Sequence, residues 1–228
     1  MSIASTRREI ARFGWPDTLR ALGLRAIGRA ADGLMVRAFG LDRPPGDPLP
    51  APRGAAHGFL DEGAIRRLAR GTLGALTPEI VADALAHRDR CYGIVAGDTL
   101  LGFTWYSRRP TLFEEGLVCT AGGGRVYAYN AWTHPDHRGQ RLLATGVTHA
   151  LTALLAEGCP GLVACVDAEN LASVKAWRRM GAADLGTFHV LRNGGRPLVH
   201  ADARARLGSL RLERGREAPA PSASPSPA

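Results

Sequence analysis

The sequence has very little lysine, no paired cysteine motif and no long hydrophobic run, and each deficit narrows the class of protein. Lysine occurs once, at Lys175, against 28 arginines, which indicates a compositional preference for arginine. The four cysteines show no CxxC spacing, and a chain of 228 residues does not depend on disulfides to fold, so we expect free thiols. No uncharged stretch is long and apolar enough to span about 30 Å of hydrocarbon, which predicts a soluble protein.

Signals for export and for metal binding are also lacking. Arg7 and Arg8 are not followed by an apolar segment, so the amino terminus does not have the pattern of a signal peptide, and the expected compartment is the cytoplasm. His134 and His137 are separated by two residues in a Pro-containing loop, without a cluster of cysteines or carboxylates at a usual metal spacing. We therefore expect no metal.

The net charge of +8 is concentrated at the two ends of the chain. Residues 1–56 contain nine arginines and five acidic residues, residues 192–228 contain seven and three, and residues 57–191 contain thirteen bases and thirteen acids. The neutral middle, with no aromatic-basic signature of RNA recognition, weighs against a nucleic-acid partner.

The periodicity divides the chain into three parts. Apolar residues recur at helical spacing from Leu24 to Leu41, which predicts an amphipathic helix, and the prolines of 44–50 then predict an extended linker. We expect residues 1–54 to form this amino-terminal helix and linker, residues 55–202 a folded domain, and residues 203–228 a basic, Pro/Ser/Ala-rich disordered tail. The helix would dock on the domain, pair with another subunit in a homodimer, or lie on a membrane surface.

Within the folded part, the pattern predicts an α/β (α+β) domain. Helices are expected at 62–73 and 78–87, with Thr77 as the cap of the second, followed by strands at 91–96 and 100–107 joined by a tight turn. A strand at 125–133, a helix to about 155, a strand at 161–167, a helix at 170–180 and a strand at 184–191 complete the order. This order requires a mixed central sheet flanked by helices, in which the strands ending at Thr133 and Asp167 run parallel. A binding groove is expected beside their carboxyl ends.

The segment from His134 to Leu143 joins a strand to a long helix and contains Arg138, Gly139 and Gln140. A helix that begins here presents unpaired amides and the positive end of its dipole to an anion such as a pyrophosphate. An ordinary strand-to-helix turn would have the same local pattern. Further along the chain, Asn170 and Ser173 open a second helix that ends at Gly181.

Together these two segments resemble the GNAT superfamily of acyl-CoA-dependent N-acetyltransferases, over residues 55–200. In that family a strand leads into R/Q-x-x-G-x-G/A, and a later helix begins N-x-x-[AS]. The resemblance implies a GNAT-type fold and acetyl-CoA as acyl donor. It implies that the backbone of Ala131, Trp132 and Thr133 aligns the thioester and that Asn170 and Ser173, with Trp177 on the same helix, lie along the pantetheine arm. The pyrophosphate would be held by the amides of Arg138, Gly139, Gln140, Arg141, Leu142 and Leu143.

The sequence departs from the family pattern at several positions. Arg141 and Leu143 stand where the family usually has glycines, and Arg141 would either contact a CoA phosphate or be simply solvated. Trp177 stands where many relatives have a tyrosine that protonates the leaving thiolate, and an indole NH is not a useful acid. Asn170 would serve as a helix cap, as a pantetheine contact, or as both.

The catalytic groups are therefore assigned only as candidates. Tyr129 is our candidate acid, with Tyr127, Cys165 and water as alternatives. Glu115 is our candidate base, with Glu114, Asp167 and ordered water as alternatives. The expected reaction is direct attack of an amine on acetyl-CoA. The alternatives are a GNAT-fold module that binds acyl-CoA without turnover, an acyltransferase with another acyl donor, and a nucleic-acid-binding protein that uses the basic ends.

Overall fold

The structure, a computed structural model, describes residues 10, 11, 13–19, 22, 23, 33–44, 46, 49–72, 74–114, 116–193 and 196–215. It is built around an eight-stranded mixed sheet. The strands are β1 (Gly33–Leu41), β2 (Ala56–Leu60), β3 (Arg90–Ala96), β4 (Thr99–Ser107), β7 (Val126–Thr133), β8 (Leu162–Asp167), β9 (Ala183–Asn193) and β10 (Arg196–Ala201). Their order across the sheet is β10-β9-β1-β8-β7-β4-β3-β2. As predicted, β7 and β8 pair in parallel, whereas the other neighbours in the sheet are antiparallel.

Five helices are described. They are α1 (Glu62–Ala69), α2 (Pro78–Ala86), α3 (Leu142–Ala156), α4 (Leu171–Arg179) and the short α5 (Ala203–Leu207). Thr77 caps α2 as expected, because its hydroxyl accepts a hydrogen bond from the amide of Ile80 at 3.3 Å. The crossover helix α3 begins four residues later than the predicted start near Arg138.

The helices cover the two faces of the sheet in different places. On one face, here called the front, α3 and α4 bury Val147, Leu151 and Trp177 against strand residues such as Phe39 and Ala164. On the other face, here called the back, α1 and α2 bury Ile65 and Val81 against β3 and β4. Each face therefore has its own apolar core, and the sheet lies between them.

A second, three-stranded sheet covers the rest of the back face. It consists of β5 (Thr111–Glu114), β6 (Leu117–Ala121) and β11 (Leu210–Arg214), in the order β11-β6-β5. Leu117, Cys119, Leu210 and Leu212 pack from it against strands of the main sheet. The back face therefore has a helical half beside β2, β3 and β4 and a β half beside β1, β8 and β9.

The helix predicted from Leu24 to Leu41 is wrong for residues 33–41. This segment is β1, and it lies between β8 and β9 with antiparallel pairing on both sides. Val36 and Ala38 pack on the back face, while Phe39 and Leu41 pack on the front. A strand buried on both faces is apolar throughout and lacks alternation, so its spacing can fit a helical period. The sheet thus uses residues on both sides of the boundary expected near residue 55.

The predicted disordered tail is also wrong in its first part, because α5 and β11 occupy 203–207 and 210–214. Leu210 and Leu212 are buried, whereas the alternating residues Arg211 and Glu213 are exposed, which is the pattern of a strand with one face on a core. Residues 24–32 of the predicted helix and residues 216–228 of the predicted tail lie outside the described residues. Within the described ranges, the helices are all too short or too polar to cross a membrane.

Candidate active site

The parallel strands β7 and β8 separate at one end of the sheet. Their register consists of two pairs, Val126 with Leu162 and Tyr127 with Val163. Beyond these pairs, β7 continues to Thr133 along β4, and β8 continues to Asp167 along β1. The two strands therefore diverge toward their carboxyl ends, and a cleft opens where the sequence predicted a groove.

A β-bulge interrupts β7 beside this cleft. Trp105 of β4 pairs with Tyr129, and Phe103 pairs with Trp132, so that the single residue Thr104 opposes both Asn130 and Ala131. Asn130 has a φ of 44°, which a non-glycine residue seldom adopts, and both bulged residues are exposed. A bulge leaves one residue unpaired, so the ladder is interrupted beside Ala131, Trp132 and Thr133, the predicted thioester-aligning residues.

The loop that follows β7 leads into an uncapped helix. Pro135–His137 form a single 3₁₀ turn, and α3 begins at Leu142 with no side-chain hydrogen bond from its N-cap residue, Arg141. Gly139 and Arg141 have positive φ values of 88° and 61°. The first-turn amides of a 15-residue helix thus lack a side-chain cap, and they carry the positive end of the helix dipole.

The six predicted pyrophosphate-binding residues lie together at this helix start. Arg138, Gly139, Gln140 and Arg141 are exposed. Leu142 is buried, and Leu143 packs on the front core, so a leucine in place of a glycine does not obstruct the amides. The two leucines also line an open depression of about 200 Å³ on the front side of the bulge. Its other lining residues are Tyr92, Ile94, Gly102, Phe103, Thr104, Trp132 and Gly146.

The second motif starts α4 on the β8 side of the cleft. The Asn170 side-chain oxygen accepts a hydrogen bond from the amide of Ser173 at 3.1 Å, so Asn170 has its cap role. Asn170 is exposed and Ser173 is partly exposed. Both therefore remain available to a ligand in the cleft.

Trp177 does not lie in the cleft. Its side chain is 4% exposed, and its ring stacks on Phe39 of β1 with centroids 6.3 Å apart and planes 10° apart. The residue therefore belongs to the front core, and a contact between its indole and pantetheine has no support in this geometry.

The candidate acid Tyr129 lies on the back face and is half-buried. Its hydroxyl donates a hydrogen bond of 2.6 Å to Oδ2 of Asp89, and its ring stacks on Tyr127 at a centroid distance of 5.7 Å. Burial, and then the neighbouring Asp89 carboxylate, raise the pKa of Tyr129 above its ordinary value of 10.0. A phenol with a raised pKa is a weaker acid, so direct protonation of a thiolate is not what this contact favours.

The other predicted catalytic groups are engaged elsewhere or are not described. Glu115 lies outside the described residues. Glu114 ends strand β5 instead of lying in a loop, and its Oε2 accepts a hydrogen bond from Arg192 at 2.6 Å. Tyr127 is buried in the back core. Asp167 accepts a hydrogen bond from the amide of Glu169 at 2.8 Å, which orders the turn after β8.

Cys165 is also constrained. Its Sγ lies 3.1 Å from Sγ of Cys119, and burial raises the pKa of the Cys165 thiol well above the ordinary value of 9.0. A thiol with a raised pKa is a poor acid for a leaving thiolate.

Asp89 is the residue at this site that the sequence did not indicate. It is 7% exposed and stands just before β3, in the charged run His87-Arg88-Asp89-Arg90 that reads as a surface turn. Desolvation raises the pKa of its carboxyl group, and the hydrogen bond from Tyr129 partly offsets this effect. Only the tertiary contact with Tyr129 distinguishes it from the other acids.

Trp105, the cross-strand neighbour of Tyr129, has an unusual donor. The residue is fully buried, and its indole nitrogen has no hydrogen-bond partner among the described residues. An orphaned buried donor costs free energy and so calls for an explanation. In the same described part of the chain, no group of three or more His, Cys, Asp or Glu residues is arranged as a metal site.

Comparison with known proteins gave a family match and several solved structures of low sequence identity. The profile of the Acetyltransferase (GNAT) family matches residues 65–182, which is just over half of the 228 residues. A GNAT-family protein from Novosphingobium aromaticivorans DSM 12444 has 16% identity and a TM-score of 0.48, over 81% of this chain and 66% of that one. A GCN5-related N-acetyltransferase from Sphaerobacter thermophilus has 17% identity and a TM-score of 0.49, over 72% and 53%.

This chain thus spans 66% and 53% of the lengths of those two structures. A search of curated proteins found no match. The family profile covers β7, the loop from His134 to Arg141, α3, β8 and α4, which are the elements that build the cleft. The chain therefore belongs to the GNAT family of acetyltransferases, whose members are acyl-transferring proteins.

Proposed function

We propose that this protein transfers the acetyl group of acetyl-CoA to the amine of an acceptor by direct attack. The observation that carries the proposal is the bulge at Asn130 and Ala131, because it presents backbone groups to the cleft beside the uncapped start of α3. One end of the cleft thus offers amides for a pyrophosphate, and its wall offers amides for a thioester carbonyl.

Anion binding in this proposal relies on backbone and charge together. The first-turn amides of α3 would accept the pyrophosphate oxygens, and the helix dipole would add to their attraction. Arg138 and Arg141 are both exposed beside these amides, so each can reach a phosphate of the same ligand. Gly139 has a positive φ, which glycine adopts without strain, and it has no side chain to obstruct the anion where it would approach.

In the chemical step, the acceptor nitrogen would attack the thioester carbonyl carbon, forming the C–N bond as the C–S bond breaks. A backbone NH at Ala131 to Thr133 would stabilise the negative charge that develops on the carbonyl oxygen. The amine loses one proton, and the CoA thiolate gains one from water. No covalent enzyme intermediate is needed, so no nucleophilic side chain is required.

The test combines acetyl-CoA binding with turnover. Calorimetry should detect binding of acetyl-CoA to wild type, and a thiol-release screen over small amines, peptides and protein lysines should then find an acceptor. Arg138→Glu should weaken acetyl-CoA binding at least tenfold, because it replaces an attractive charge by a repulsive one at the phosphates. Arg211→Glu, the same charge change at an exposed position of β11, should not.

Two outcomes would contradict the proposal. Equal losses for Arg138→Glu and Arg211→Glu would reveal a general charge effect and remove the anion site. Binding of acetyl-CoA without thiol release to any acceptor would leave a non-catalytic acyl-CoA-binding module.

A further inference from the structure

The back face of the sheet holds a buried carboxylate, Asp89, that accepts a hydrogen bond from Tyr129, the residue just before the bulge. We propose that Tyr129 and Asp89 form a proton relay, in which Tyr129 takes the proton of the acceptor amine while passing its own proton to Asp89. This relay rests on the proposed acetyl transfer and assigns the base of that reaction to Asp89, a residue outside both sequence motifs.

Strand register places Tyr129 beside the bulge, where we propose that the thioester is aligned. Tyr129 immediately precedes the bulged residues Asn130 and Ala131, and its pairing with Trp105 lies one step from the pairing of Phe103 with Trp132. The bulge adds one residue, so that Tyr129 and Trp132 lie on the same face of the sheet, together with Phe103 and Trp105. An amine that reaches the thioester from the back face therefore passes these side chains.

Asp89 and Tyr129 differ in their exposure to solvent. Asp89 is almost fully buried, whereas Tyr129 is partly exposed, and the 2.6 Å hydrogen bond runs from the hydroxyl to the carboxylate. A substrate can thus contact the hydroxyl of Tyr129 while the carboxylate stays shielded behind it. The second lone pair of the Tyr129 oxygen can accept a hydrogen bond from an amine.

The groups around the pair are suited to a base. Among the described residues, the charged side chains that act on the Asp89 carboxylate are His87 and Asp83 of α2, and Asp83 repels it. The hydroxyl of Ser107 of β4 donates to the backbone oxygen of Arg109 at 3.3 Å, and Cys91 of β3 lies near Tyr129. Among these described neighbours no arginine or lysine holds the carboxylate as an ion pair, so its basicity is retained. The unpartnered indole NH of Trp105 lies on the same face and is fully buried.

The proton balance of the step is simple. As the amine nitrogen bonds to the carbonyl carbon, its proton moves to Oη of Tyr129, and the phenolic proton moves to Oδ2 of Asp89. Asp89 becomes neutral, which a desolvated site favours, and Tyr129 is restored without becoming a phenolate. The leaving thiolate is protonated by water, and Asp89 later returns its proton to solvent.

The relay predicts a specific pH signature in acetyl transfer. Asp89→Asn and Tyr129→Phe should each lower kcat about 100-fold or more, with acetyl-CoA affinity unchanged. The wild-type rate should fall at acid pH, as Asp89 becomes protonated, and the ratio of wild-type to Asp89→Asn rates should fall with it. Ionisation of the amine is common to both enzymes and cancels in this ratio.

Two further variants serve as controls. Asp98→Asn removes an exposed carboxylate in the β3–β4 turn and should retain the wild-type rate and profile. His87→Gln removes the nearby imidazole, and the acid limb of the profile should remain. Loss of that limb in His87→Gln would overturn the assignment to Asp89.

The outcomes separate the relay from the activity on which it rests. If wild type releases thiol and both Asp89→Asn and Tyr129→Phe keep its rate and profile, the relay is wrong and the acetyltransferase stands. If wild type binds acetyl-CoA but no amine elicits thiol release, the proposed function fails and the relay fails with it. If Asp89→Asn does not fold, Tyr129→Phe decides, because it keeps the carboxylate and removes only the hydroxyl.

Discussion

Replacing Arg141 should affect stability and ligand binding in separable ways. Arg141 has a φ of 61° and a ψ of 20°, the left-handed conformation, just before the first residue of α3. An L-residue in this conformation loses about 1–2 kcal/mol relative to a right-handed one, whereas glycine adopts either readily. Glycine costs about 0.5–1 kcal/mol more than alanine in conformational entropy on folding. Arg141→Gly should therefore stabilise the fold by about 0.5–1 kcal/mol.

The side chain has the opposite effect on binding. If the Arg141 guanidinium contacts a CoA phosphate, its loss removes a charge-assisted hydrogen bond of about 1.5–3 kcal/mol, at least a tenfold loss of affinity. Arg141→Ala keeps the backbone conformation and loses the charge, while Arg141→Lys keeps both. Only the glycine variant should be more stable than wild type, and only the glycine and alanine variants should lose the full affinity.

The assay is thermal unfolding without ligand, followed by calorimetric titration with acetyl-CoA. For a chain of this size, a gain of 0.5–1 kcal/mol corresponds to an upward shift in Tm of about 1–4 °C. A Tm of Arg141→Gly at or below that of Arg141→Ala would refute the argument from backbone strain. Equal affinities across the series would show that the side chain is solvated and that binding depends on the amides.

Three other changes test separate parts of the structure. Gly139→Ala places a side chain at a φ of 88° and should cost about 1 kcal/mol of stability in urea unfolding and weaken acetyl-CoA binding, whereas Gly97→Ala, at a φ of 57° in a distant turn, should cost only stability. Trp177→Ala should destabilise the protein by about 3–5 kcal/mol in the same assay. Trp177→Phe preserves stacking on Phe39 and should keep the acetyl-CoA affinity. A loss of binding in Trp177→Phe would show that the indole contacts the ligand. The folded state binds the Asp89 proton more tightly than the unfolded chain, so wild type should lose stability as pH rises from below 3.8 through the raised folded-state pKa. Asp89→Asn lacks this titration and should gain stability relative to wild type over that range. An unchanged difference in unfolding free energy between pH 3.5 and 7 would contradict this.

The elements that build the cleft were largely predictable from the sequence, because their signals are local. Thr77 and Pro78 mark the start of α2, and the order of strand, helix, strand from β7 to β8 requires a parallel pair. The segment from Arg138 to Leu143, which the resemblance marks as the phosphate-binding loop, lies at the start of α3, and its binding role stays a prediction.

What could not be predicted depends on contacts distant in the sequence. β1 was missed because burial on both faces removes the alternation by which strands are recognised. The burial of Trp177 was not foreseen for the same reason, since its aromatic partner is Phe39 of that strand. Asp89 was missed because its chemistry comes from Tyr129, forty residues later in the chain.

The position of β1 has a consequence for how the protein is made. β1 is synthesised well before its partners β8 and β9, so the ribosome has completed all the strands between them before β1 can pair. Until then, the apolar residues of β1 are uncovered, and pairings of such sequence separation form slowly. A nascent chain of this protein therefore depends most on protection from aggregation until β8 and β9 have been made.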